Sequence, residues 1–171
     1  MMSEAQRSEC HVEQLVRPCT CPECVSCCER NPGWMTPEEA VKSITAGLGW
    51  KLMRDWLEPC SEVGNEDRIY LLAPASIGCE GADAPEFSFA DMLFGKANKG
   101  RCVFLEDGLC GLHATDYKPR QCRETMGCVP GVGPDNYEMA RLWDTDEGRE
   151  ALILWSNSDI EGKDNEAENE K

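Results

Sequence analysis

Four cysteines fall within eight residues, Cys21-Pro-Glu-Cys24-Val-Ser-Cys27-Cys28. A second sulfur-rich stretch lies far downstream, with Cys102, Cys110, Cys122 and Cys128. Thiolates three residues apart, presented from one short segment and closed by a distant one, are what a folded soft-metal site requires. Cys21, Cys24 and Cys27 share the spacing that opens a bacterial-ferredoxin cluster segment, whereas structural zinc more often takes one Cys-x-x-Cys pair from each of two knuckles. Spacing alone therefore leaves zinc and iron, including an iron–sulfur cluster, both open. Neighbouring side chains rarely reach one ion without strain, so Cys28 serves a second site, bridges two metals or stands free. Counted together, the two blocks supply eight thiolates, enough for two four-ligand centres or for one cluster plus one mononuclear metal.

His113 follows Cys110 closely and is a candidate fifth donor, although a lone histidine flanked by apolar residues is more often a hydrogen-bonded core residue. Lys118, Arg120 and Arg123 surround Cys122 in an otherwise acidic chain. They read as compensation for the negative charge of a thiolate centre, as a small anion-binding patch, or as an ordinary solvated helix face. Cys10, Cys19, Cys60 and Cys79 fall outside both blocks and are expected to be buried or free thiols, with Cys19 near enough to Cys21 to join the first block.

The remainder of the chain must position these donors. At 171 residues, with 41% hydrophobic residues and five tryptophans, it can bury one modest core. Its formal charge of -15, from 17 basic and 32 acidic residues, opposes non-specific binding to nucleic acid, and no nucleic-acid partner is expected. The first residues contain no apolar run and no stretch reaches the 18 or so apolar residues of a membrane span. No signal peptide and no membrane association are therefore expected, and the expected location is cytoplasmic. Thiols stay reduced there, so twelve cysteines point to metal rather than to a disulfide framework, despite their even number. The metal ion is the partner the chain implies; a protein partner is left open.

The local patterns predict a polar lead-in over 1–17, a metal-chelating domain over 18–157 and an acidic, disordered tail over 158–171, where six acids and two lysines stand without an aromatic residue. The cysteine block itself is expected on a compact turn, closed by Asn31-Pro32-Gly33. Thr36-Pro37-Glu38-Glu39 predicts a helix start with a capping box, with Ala40, Val41, Ile44 and Leu48 facing the core and a stop near Gly47 or Gly49. Trp50, Met53, Trp56 and Leu57 suggest a second short helix, its tryptophans packed in a core rather than stacked on a cofactor. Arg68 to Ala73 reads as a strand and Ser88 to Phe94 as one or two helical turns. Cys102 to His113 reads as a β-hairpin turning at Asp107-Gly108, which sets Cys102 and Cys110 on opposite arms near paired positions. Pro119 opens a short helix bearing Cys122 and Arg123, and Asn136 to Trp155 is helical with a break and recapping at 144–147. The fold class these elements add up to is α+β: a small cysteine-rich metal-binding domain of several short helices and a β-hairpin.

Taken together, the Cys-x-x-Cys-x-x-Cys-Cys block, Pro32-Gly33, the Thr-Pro-Glu-Glu helix start, Cys102-Val-Phe-Leu, Gly108-Leu-Cys110 and Pro119-Arg-Gln-Cys122-Arg123 resemble the YkgJ-like family, a zinc- or iron-chelating domain, over roughly residues 18 to 130. The chain departs from the family pattern where His113 and Lys118-Pro119 take the places usually held by Tyr and Arg-Pro. The resemblance implies metal chelation. Enzymes that methylate flagellin lysines carry a similar cysteine cluster, so it also admits chemistry at the metal, of redox or protein-modifying type. The chain itself shows no glycine-rich phosphate loop, no HExxH and no identifiable acid–base pair.

Overall fold

The computed structural model describes residues 20–59, 67–88, 90–91, 98–129 and 131–166, with 159–166 as backbone alone. The expected lead-in over 1–17, together with Cys10, Cys19 and Cys60, lies outside the described residues. Helix α1 (Pro22–Arg30) carries the first cysteine block. Helix α2 (Pro37–Ser43) starts at the predicted capping box: the Thr36 hydroxyl accepts from Glu39 N–H at 3.2 Å and the Glu39 carboxylate accepts from Thr36 N–H at 2.9 Å. Ala40 and Ile44 face the core as expected, but Val41 is 37% exposed. Gly47, at φ 78°, ends this run by taking the left-handed conformation that glycine adopts at no steric cost.

The chain then enters strand β1 (Leu52–Leu57), not the second helix that the Trp50–Leu57 spacing suggested. β1 pairs antiparallel with β2 (Ile69–Pro74), from Leu52 opposite Pro74 to Leu57 opposite Ile69. That partner sits beyond the reach of local periodicity, and its ladder decides the conformation of a segment whose intrinsic preference is weak. Two short strands, β3 (Leu105–Glu106) and β4 (Leu109–Cys110), follow, with Asp107 and Gly108 turning between them at positive φ as predicted. The hairpin is shorter than its sequence suggested. Cys110 lies opposite Leu105, while Cys102 bridges to Ser76 at the end of the other sheet. Ser88 caps Asp91, its hydroxyl accepting from Asp91 N–H at 3.1 Å, but most of the expected helix after it lies outside the described residues.

Three helices complete the fold: α3 (Arg120–Glu124), α4 (Asn136–Trp143) and α5 (Asp146–Glu166), with the predicted break between the last two. α5 continues past residue 158, where a disordered tail was expected to begin, to Glu166. Extending an existing helix adds a hydrogen bond for each residue fixed, and Glu161, Lys163 and Glu166 favour it, although Gly162 and Asn165 do not. No helix among the described residues is long and apolar enough to cross a membrane.

The chain is thus α+β, and its described residues bury two clusters, with Val103 packed against both. The larger lies between the β1–β2 sheet and helices α2, α4 and α5, with Met35, Leu52, Met53, Leu71, Leu72, Met139 and Trp143 at its centre. Two indole N–H groups tie it together, Trp143 to Met35 C=O at 2.7 Å and Trp155 to Gly49 C=O at 3.0 Å. Trp56 packs against this core as expected of it, with the Arg68 guanidinium over its ring. The smaller cluster holds Cys102, Phe104, Leu105 and Leu112, with Val25, Cys28 and Cys110 packed on its edge.

Candidate metal centre

The first cysteine block is helical rather than a turn. Cys21 is the N-cap of α1 and Pro22 occupies the first turn, where its missing N–H costs nothing. On a helix, successive side chains diverge by about 100°. Cys27 and Cys28 therefore leave the helix in different directions, although both line the same cavity.

One group forms around Cys128. The sulfurs of Cys21, Cys24 and Cys128 all lie within 4.8 Å of one another, and Cys24 and Cys128 approach to 3.5 Å. Cys128 sits in a tight turn closed by Val129 N–H on Met126 C=O at 3.0 Å. Gly127 lets that turn lie against α1: a Cβ there would collide with Glu23 C=O and stand 2.9 Å from the Cys27 sulfur. Cys27 thus borders this group, and its thiol is raised by burial and then by the charge of Cys21.

Cys28, Cys102, Cys110 and Cys122 lie near one another more loosely: among the described residues Cys21, Cys24 and Cys128 are the cysteines whose sulfurs close to within 4.8 Å of one another, and no three of these four do. Cys102 N–H donates to Cys28 C=O at 2.8 Å, and Gly100 N–H to Arg30 C=O at 3.1 Å, so the downstream block docks on the end of α1. On its other side the same segment follows the end of β2, with Val103 N–H on Ala75 C=O at 2.9 Å. The residue Cys122 is half-buried, yet its sulfur points inward against Gly33, where a Cβ would stand only 2.6 Å from it. Thiolate charge at Cys110 and Cys27 would oppose ionisation of Cys28, charge at Cys28 and Cys110 that of Cys102, and charge at Cys28, Cys102 and Cys110 that of Cys122. Burial, reinforced by that repulsion, pushes the Cys28 thiol up to about 11 and the Cys102 thiol up to about 12, and raises Cys122 as well. Gathering several thiolates here without a cation is costly; a bound divalent ion would offset that cost.

A cavity of about 440 Å³ opens between the two groups, walled by Cys24, Cys27, Cys28, Cys110 and Cys122 and by Trp34, Lys99 and Lys118. Lys118 is 9% exposed rather than solvated, and it partly offsets the negative charge felt at Cys28. Its ammonium lies 3.0 Å from His113 Nδ1. An ammonium only donates, so Nδ1 accepts, and burial followed by the lysine's charge lowers the imidazole's pKa. His113 is therefore a partner of Lys118 through Nδ1. Arg120 pairs with Glu124 and Glu138, and Arg123 with the buried Glu39, so neither joins Lys118 in an anion patch. Glu39 also accepts from Arg120 N–H at 2.9 Å, locking α3 onto the start of α2.

The cavity's second wall was not anticipated. Asp55, 2% exposed, accepts from the Trp34 indole N–H and pairs with Lys99. A charged Arg54-Asp55 pair inside the run Leu52–Leu57 was the available signal. Gly33 and Gly127 were likewise legible only as glycines close in sequence to a proline and a cysteine. Cys79 stays apart, half-buried against the large core. No protein family, curated protein or solved structure matches this chain.

Proposed function

We propose that the protein is a metal-chelating module whose two cysteine blocks hold zinc in the protein as isolated, with iron as the rival ion, in keeping with the YkgJ-like resemblance. The observation that carries this reading is the convergence of Cys21, Cys24 and Cys128 within 4.8 Å; Cys27, which borders the Gly127 turn, is the fourth donor the reading assigns. Sulfurs around a tetrahedral ion with bonds of about 2.3 Å stand roughly 3.8 Å apart. Ligand sulfurs around a four-iron cluster must leave room for the cluster itself. Spacing this close therefore favours a single ion. The all-sulfur donor set suits zinc or ferrous iron and disfavours magnesium or calcium, which prefer oxygen. Elemental analysis of protein purified without oxygen tests the reading, and at least one zinc or iron per chain is expected. Less than one bound ion would remove it.

A second reading, an iron or iron–sulfur enzyme of redox or protein-modifying type, draws on the cavity against five of the cysteines. A substrate reaching the metal would need such a space, and a purely structural site would not. Visible absorption after anaerobic preparation with iron and sulfide separates the two. Brown charge-transfer bands that vanish in Cys24→Ser would favour the iron reading, and a colourless protein would favour zinc.

A further inference from the structure

We propose that Cys28, Cys102, Cys110 and Cys122 form a second, separate four-thiolate site for one soft divalent cation, on the other flank of α1 from the Cys21–Cys24–Cys128 group. The proposal rests on the metal-chelating reading above and adds to it a division of the ligands. Cys28 and Cys110 pack against the same small cluster that contains Cys102, and Cys28, Cys110 and Cys122 share one cavity wall. The Cys102 N–H to Cys28 C=O bond fixes one pair of backbones together. The absence of a side chain at Gly33 admits the fourth sulfur. Helix α1, the 102–110 stretch and α3 thus deliver four thiols to one small region. Charge supports the same grouping. A divalent ion with four thiolates carries a net charge of 2−, and the buried Lys118 beside Cys28 cancels part of it. The stagger of neighbouring side chains on α1 separates the two sets: Cys27 borders the Gly127–Cys128 turn, while Cys28 packs against the cluster that holds Cys102.

The test uses the full chain, purified under reductant without oxygen, and reads metal stoichiometry after loading with zinc or cobalt. Two ions per chain are expected. The paired substitution Cys110→Ser with Cys122→Ser should lower this to one, and so should Cys24→Ser with Cys128→Ser, each leaving the other ion in place. Because either variant can fail to fold, the unsubstituted protein is also loaded with NMR-active cadmium. Two cadmium resonances are expected, one correlated with the β-protons of Cys28, Cys102, Cys110 and Cys122 and the other with those of the first group. A single ion per chain, or Cys28 protons correlated with both cadmium signals, would overturn the division into separate sites while leaving metal chelation intact. No bound ion at all would instead refute the underlying reading.

Discussion

Around the β1–β2 sheet, Met35, Leu52, Met53, Leu71, Leu72, Met139 and Trp143 are sealed from solvent. By contrast α1 and α3, which carry Cys24, Cys27, Cys28 and Cys122, bury no residue completely, and β3 and β4 are two residues each. The first region is held by apolar burial, at roughly 25 cal/mol for each Å² removed from water. The second buries the smaller cluster of Cys102, Phe104, Leu105 and Leu112, and its short elements gain little from internal hydrogen bonding. What its segments share is sulfur. Two regions of one small chain are thus stabilised by different chemistry, and they meet at Glu39, where the capping box of α2 also receives Arg120 N–H and Arg123.

The comparison breaks most visibly on metal removal. Structural zinc contributes on the order of 10 kcal/mol in small thiolate peptides, so chelation under reductant should produce the largest change of all. Amide hydrogen exchange should lose its protection in α1, in 100–113 and in α3, and keep it in β1, β2, α4 and α5. Simultaneous loss across the sheet would show that the apolar core does not stand without the metal. Trp143→Ala, at 2% exposure in the large core, should cost about 3–5 kcal/mol in urea unfolding. Metal content of the folded fraction should not change. A drop in stoichiometry would contradict the separation. Glu39→Gln removes the charge at the joint and should cost on the order of 1–3 kcal/mol, together with a small loss of metal affinity. If stability falls and affinity does not, the link between the two regions is mechanical support alone.

Local signals were strongest where a residue's role depends on its near neighbours. The capping box at Thr36, the strand at Ile69–Pro74, the turn at Asp107-Gly108, the helix after Pro119 and the break between α4 and α5 are all short-range patterns, and each was legible. β1 was not, since Trp50, Met53 and Trp56 mimic a helical stripe and the strand exists because Ile69–Pro74 arrives to pair with it. The exposed Val41 and the buried Asp55 show the same limit: which side of an element meets the core depends on what packs there.

For the candidate site, residue types and spacing determined which eight cysteines, in two blocks, to consider as soft-metal donors. Tertiary structure decided how they group. Cys24 lies beside Cys128, Cys28 beside Cys102, and Arg123 against Glu39 and the Lys118 C=O. The physical reason is that ligand identity is carried by single side chains, whereas a coordination sphere is a distance relation among segments a hundred residues apart. That relation is set by the direction in which a helix projects neighbouring residues, and by two glycines small enough to let the backbones close.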